Sequence, residues 1–195
     1  MFYLDYPTYI TELQLRCLTE WEKDKISLHE EGFFRIVEEN HAFNFQLWNA
    51  EDRARRDDQG HEFVYVAKRE IDHCNQQRNN RMEAMDEWLF NALAPSTDSI
   101  CPVHSETPGM MIDRLSILTL KSFHMEIQAN RQDVSQDHII KCRNKLAILL
   151  AQKDQLEKCL HDLFDDILNK KRTFRVYHQF KMYNDPTLNP ELYRN

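Results

Sequence analysis

The sequence predicts an all-α bundle of about five long helices with an extended or irregular, aromatic-rich C-terminal tail. Three observations carry that prediction. Apolar residues recur at three- and four-residue spacing through five separate stretches. The 195 residues include only 3 Gly and 6 Pro, so little interrupts long helices. Alternation of apolar and polar residues, the mark of a strand, is nearly absent before residue 173. The length suits one domain spanning 1–195, with the tail 173–195 packed on the bundle.

Each element follows from its own residues. Pro7 is placed to start a helix, and Ile10, Leu13, Cys17 and Trp21 continue it to about Lys25. A second helix begins at Phe33 and Phe34 and runs through Phe43, Leu47 and Trp48 into the charged stretch 51–58, with Gln59-Gly60 as its stop. His61 to Leu93 reads as one long third helix, halted by Ala94-Pro95. Thr107-Pro108 offers an N-cap and a first-turn proline for a fourth helix over about 108–130. Ser135 caps a fifth, whose Ile139, Leu146, Leu149, Leu156, Leu160, Leu163 and Ile167 keep a helical stripe to Asn169. Beyond it, Phe174, Val176, Phe180 and Met182 alternate as in an extended segment, although Phe174, Tyr177 and Lys181 also suit a helix. Asn184-Asp185-Pro186 and Asn189-Pro190 are turn signals that leave the last dozen residues without regular structure.

Composition narrows the function. With 32 acidic and 25 basic residues the net charge is −7, which argues against a general nucleic-acid coat. No Gly-rich phosphate loop and no G-x-S-x-G elbow is present. Five scattered cysteines without a C-x-x-C suit a reducing compartment rather than a disulfide framework or zinc ribbon. The N-terminal segment has no basic region before an apolar core, and the longest apolar run, Leu146–Ala151, falls far short of the roughly 20 residues of a membrane span. A cytoplasmic protein with no membrane span is expected.

The fourth helix carries the first candidate site. Its apolar residues point in nearly all directions, as in a buried helix, yet Asp113, Arg114, Lys121 and His124 share one wedge about 100° wide. Buried charge requires a partner, so the wedge is either an internal ion-pair network or a ligand or catalytic site. The third helix offers a counterpart: Asp72, Asn75, Gln76, Asn79, Glu83 and Asp86 lie on one stripe, and Arg78 falls on the apolar side, where it needs a buried acceptor. That stripe is either the solvated side or, turned toward Arg114 and Lys121, one wall of a mixed-charge cleft. Such a cleft holds a phosphate between Arg and Lys, or a divalent ion such as Mg²⁺ among carboxylates, with Asp72, Glu83 and Asp86 as the candidate ligands. Asp113, His124 and Glu83 are the candidate acids and bases.

Other fragments are weaker. Glu83-x-x-Asp86 matches one acidic pair of the all-α nucleotide pyrophosphohydrolases, but the second pair is replaced by Glu70-x-x-His73. His61-Glu62 lacks the second histidine of H-E-x-x-H, and His124-x-Glu126 lacks the downstream cysteines of a zinc deaminase. Glu157, His161 and Asp165, spaced i, i+4, i+8, suit either a metal chelate or, the favoured reading, an outer helix face. Lys170, Lys171, Arg172, Arg175 and Lys181, interleaved with Phe174, Tyr177, Phe180 and Tyr183, suit helix capping or anion binding, with nucleic acid the less favoured partner at this net charge.

Four separated stretches, Trp48–Arg55, Ile71–Gln76, Glu106–Leu118 and Tyr177–Pro186, together resemble a bacterial family of domains of unknown function, DUF4254. The resemblance implies a helical cytoplasmic protein, of a kind often encoded near glycosyltransferases for lipopolysaccharide or other surface glycans, with no established activity. It places Glu51, Asp52, Arg55, Asp72, Asn75, Asp113, Arg114, Lys121, Tyr183, Asn184 and Asp185 at motif positions. Two functions follow as expectations. One is an accessory or interaction protein of surface-glycan synthesis that docks on a glycosyltransferase. The other is an enzyme or binding protein for a phosphorylated small molecule, a nucleotide or sugar nucleotide, with Asp72, Asn75, Arg78, Asn79, Arg114, Lys121, Glu51, Asp52, Arg55 and Lys181 as binding residues and Mg²⁺ as the possible ion.

Overall fold

A computed structural model describes residues 2–193. After a single turn at Tyr3–Asp5, five long helices follow in order: α1 (Tyr6–Trp21), α2 (Gly32–Arg53), α3 (His61–Leu93), α4 (Pro108–Ala129) and α5 (Gln136–Leu168). Helix α6 (Pro190–Tyr193) is one turn. No strand occurs among the described residues, so the all-α bundle expected from the sequence is the fold.

The caps read from the sequence operate. Thr107 Oγ1 accepts the Met110 N–H at 3.2 Å and starts α4 together with Pro108, and Ser135 Oγ accepts the His138 N–H at 3.3 Å to start α5. Helices α1 and α2 stop earlier than expected, at Trp21 and Arg53 rather than near Lys25 and Asp58. The cause at α1 is a pull from α2. Buried Glu38 accepts the N–H groups of His29 and Glu30 at 2.9 to 3.0 Å, drawing 22–31 into an irregular strap instead of a further helical turn. At α2, the chain past Ala50 has no apolar residue larger than Ala54 until Phe63, and it closes in a short turn at Asp57–Gln59.

Helices α2 and α3 form one antiparallel pair and α4 and α5 a second, with α1 packed across α2, α4 and α5. Helix α4 touches all four others. The core gathers Ile10, Leu13, Leu18, Val37, Met85, Leu89, Ile112, Leu115, Leu160 and Phe164. Close approach of α3 to α4 depends on Gly109, where a Cβ would lie 2.5 Å from the Met82 carbonyl oxygen and 2.8 Å from Asp86 Oδ1.

The tail is anchored before it becomes irregular. Thr173 pairs in parallel with the loop after α3, donating its N–H to Pro102 O at 2.9 Å and accepting the His104 N–H at 2.7 Å. Phe174 is fully buried and meets Phe90 edge to face at 5.8 Å. The chain then runs extended along α3 to a turn at Met182–Asn184, as the alternation suggested, and α6 adds a helical turn where none was expected. Pro190 supplies its start.

Candidate functional site

Beside α4 the bundle is open, with α2 and α3 on one side and α5 on the other. Three hollows there meet at Lys121. The first, about 420 Å³, is lined by Trp48, Glu51, Asp52, Arg55, Arg78 and Lys121. A second, about 610 Å³, shares Trp48, Asp52 and Lys121 and adds His124, Met125, Ile148 and Leu149. The third, about 630 Å³, runs from Lys121 past Arg114, Glu106 and His104 to Gln152 and Gln155. Helix α4 is therefore not buried all round. Three of the four wedge residues, Arg114, Lys121 and His124, line an open cleft, because neighbouring helices cover only part of the α4 circumference.

The four wedge residues divide into two kinds. Asp113 is 2% exposed and saturated: Arg78 grips it through Nε at 3.1 Å and Nη2 at 2.9 Å, while Asn40 and Asn44 donate their amides to Oδ1 at 3.1 and 2.9 Å. Arg78 thus has the buried acceptor its position demanded. Asn44 and His41 also bond Ser116 Oγ, at 3.0 and 2.7 Å, and burial drives the His41 imidazole down to about 3, so it is neutral. Such a filled carboxylate is a brace between α2, α3 and α4 rather than an acid or base.

Arg114 and Lys121 face the open side. Arg114 pairs with Glu106 at 2.7 Å. Arg55 likewise pairs with Glu51 at 2.7 Å, one turn back on α2. Lys121 has no carboxylate partner among the described residues, nor has Asp52 across the cleft. His124 lies flat against Trp48, ring centroids 4.4 Å apart and 3° from parallel. Burial lowers its affinity for a proton, and its Nε2 is enclosed without a partner among the described residues. Lys121 and, on the α5 side of the second hollow, Lys145 are the cleft cations without an ion-pair partner among the described residues.

The α3 stripe does not form the opposite wall. Asp72 pairs on its own helix with Lys68 and with Arg69, the latter at 2.8 Å. Asn75 takes a long bond of 3.4 Å from Arg78, and Asn79 is half-buried one turn on. Glu83 accepts the Gln179 N–H at 2.6 Å and meets His178 Nδ1 at 3.2 Å, while Gln76 accepts from the Asn184 amide at 3.1 Å. The stripe is the track on which the tail lies. Sequence left both readings of the stripe open for a physical reason: periodicity fixes an angle around one helix but not which neighbour occupies it. Lys181 is carried by this tail toward Arg78, and burial first, then repulsion from Arg78, pulls its ammonium below the usual value.

Asp86 points elsewhere again. It is 2% exposed and accepts the Gly109 N–H at 2.7 Å, and burial pushes its carboxyl up to about 7. Asp72, Glu83 and Asp86 therefore do not converge as Mg²⁺ ligands, and no group of three metal-ligating side chains occurs among the described residues. Trp48, Glu51, Asp52 and Arg55, from the end of α2 and the residues just past it, line the cleft, and α3 contributes Arg78. Trp48 and the buried Asn40, His41 and Asn44 were missed, although a polar trio at 40, 41 and 44 between Val37 and Phe45 is itself a signal of a buried polar contact.

These features define a helical bundle with a brace of buried polar side chains and an open, mixed-charge cleft beside it. The family model for the protein of unknown function DUF4254 matches residues 34–176, and the chain belongs to that family. The match holds the cleft and brace residues but ends before Lys181, Tyr183, Asn184 and Asp185. No curated protein and no solved structure matches. No helix among the described residues is long and apolar enough to cross a membrane.

Proposed function

We propose that the cleft binds a small phosphorylated molecule of the nucleotide or sugar-nucleotide class, with Lys121 taking phosphate. The observation that carries this reading is the ammonium at the junction of three hollows, unpaired among the described residues while Arg55, Arg78 and Arg114 around it are all paired. An uncompensated cation at a concave junction attracts an anion, and the neighbouring arginines add donors once their exposed partners swing away. Asp52, equally unpaired and shared by two of the hollows, accepts hydroxyl hydrogens of a sugar. The flat face of Trp48 and the side chains of Met125, Ile148 and Leu149 take an apolar or aromatic part.

The test is the melting temperature of metal-stripped protein against nucleotides, sugar nucleotides and sugar phosphates, each with and without Mg²⁺. A native-state ligand raises it. A rise in the wild type that vanishes in Lys121→Ala is the expected result, and no rise with any of them overturns the reading.

A second reading, an accessory protein that docks on a surface-glycan glycosyltransferase, is favoured by the tail. Phe180 is 82% exposed and Tyr183 64%, beside exposed Tyr177 and Met182. Removing 177–193 spares buried Phe174, so a truncated chain that folds yet still retains a glycosyltransferase in co-purification excludes the tail as the dock.

A further inference from the structure

The outward side of α5 carries apolar residues that the monomer leaves exposed. Ile139, Cys142, Leu156, Leu160, Leu163 and Ile167 turn inward and are buried. On the opposite side, Asp137, Ile140, Asn144, Ala147, Ala151, Asp154, Lys158 and His161 are all exposed and alternate at three- and four-residue steps without a break. The stripe is about 36 Å long, with Ile140, Ala147 and Ala151 as its apolar members and charged or polar residues toward both ends. Ile148, 59% exposed, and Leu150, 44% exposed, flank it on either side.

We propose that this face pairs with the same face of a second copy of the chain, the two α5 helices running antiparallel about a two-fold axis at residue 149. Charge selects the direction. Parallel pairing sets Asp154 against its own copy, and also Asp137 and Lys158, which each keep an ion-pair partner on their own helix in Lys141 and Asp162. Antiparallel pairing about residue 149 sets Ala147 against Ala151, Asn144 against Asp154, Ile140 against the Lys158 stem, and Asp137 against His161. Arg143 then faces Glu157 across the flank. Ile148 and Leu150 each meet their own symmetry mates, one on each side of the alanines, and the small central side chains let the backbones approach closely. The surface is complementary to itself under one rotation, as a closed two-fold interface requires.

The seam borders the cleft. Ile148 and Gln155 flank the seam and also line the hollows around Lys121, so the second copy extends the cleft wall on the α5 side.

Light scattering on a sizing column over a range of concentrations tests the pairing. The full chain and Ala151→Ser run as dimers. Ala151→Glu, which places two carboxylates at the centre of the seam without touching the monomer core, weakens association by about tenfold or more, with unchanged helical content. In a Cys159→Ser background, Ala147→Cys with Ala151→Cys forms an oxidised cross-linked dimer, while Ala147→Cys alone does not, because antiparallel copies of position 147 stand too far apart for a disulfide. A wild-type monomer at every concentration, a dimer indifferent to Ala151→Glu, or a cross-link through Ala147→Cys alone overturns the proposal.

Discussion

Asp113 and Lys121 stand about two turns apart on the same helix and within the same wedge, yet they live in opposite surroundings. Asp113 is enclosed and holds four hydrogen bonds from Arg78, Asn40 and Asn44. Lys121 is exposed, unpaired among the described residues, and meets three hollows. One charge fastens three helices; the other faces whatever enters from outside. The difference teaches that a charge on a helix of a bundle is not informative alone. Its partners decide whether it is structural, and here α2 and α3 supply them to Asp113, while none of the described residues supplies a carboxylate to Lys121.

The comparison is broken most directly by removing the buried charge. Asp113→Ala strands the Arg78 guanidinium and two amides, a loss of about 3–5 kcal/mol that lowers Tm by about 10 °C. A variant melting within a degree or two of wild type would show that the brace is not structural.

Next in size is a pH effect from the other buried carboxyl. Folding holds a proton on Asp86 up to about 7 where the unfolded chain releases it near 3.8, so its contribution to stability is full below 3.8 and is lost as pH rises through 7. Neutral His41 has the opposite slope: below 6.5 the unfolded chain takes up a proton that the folded one refuses until about 3, and stability falls as pH drops. Asp86→Asn keeps an acceptor for Gly109 and removes only the first slope. Its Tm relative to wild type climbs from about pH 4 to about pH 8, and parallel curves would refute the assignment.

Glu83→Ala frees the Gln179 amide and His178 from α3, which leaves the melt almost unchanged but speeds proteolysis between Val176 and Tyr183. Smallest of all is Lys121→Ala. As an exposed, unpaired side chain it alters stability by less than about 0.5 kcal/mol while abolishing the ligand-induced rise, the counterpart of Asp113→Ala.

Most of the fold was legible. The limits of α3, α4 and α5 follow from Gly60, Thr107-Pro108 and Ser135, local signals that act through the backbone of their own helix. The ends of α1 and α2 were not, because Glu38 shapes the strap 22–31 from a distance. For the site, the wedge and the demand of Arg78 for a buried acceptor were visible in periodicity. The resemblance pointed to Glu51, Asp52 and Arg55, which line the cleft with Lys121. The partnership of α2 with α4 was hidden, since Asn40 and Asn44 meet Asp113 across some seventy residues of sequence, and no single-helix pattern encodes such a pairing.

The flat contact of Trp48 with His124 gives the cleft an optical voice. An indole lying 4.4 Å from an imidazole loses excited-state energy to it most strongly when that ring is protonated, and burial lowers the affinity of His124 for a proton. If phosphate binds at Lys121, as proposed, its charge next to this ring favours the protonated form and dims Trp48, while Trp21 and Trp88, buried or packed against the core elsewhere, keep their emission. Occupancy of the cleft is thereby written into the intrinsic fluorescence of the chain, without a label.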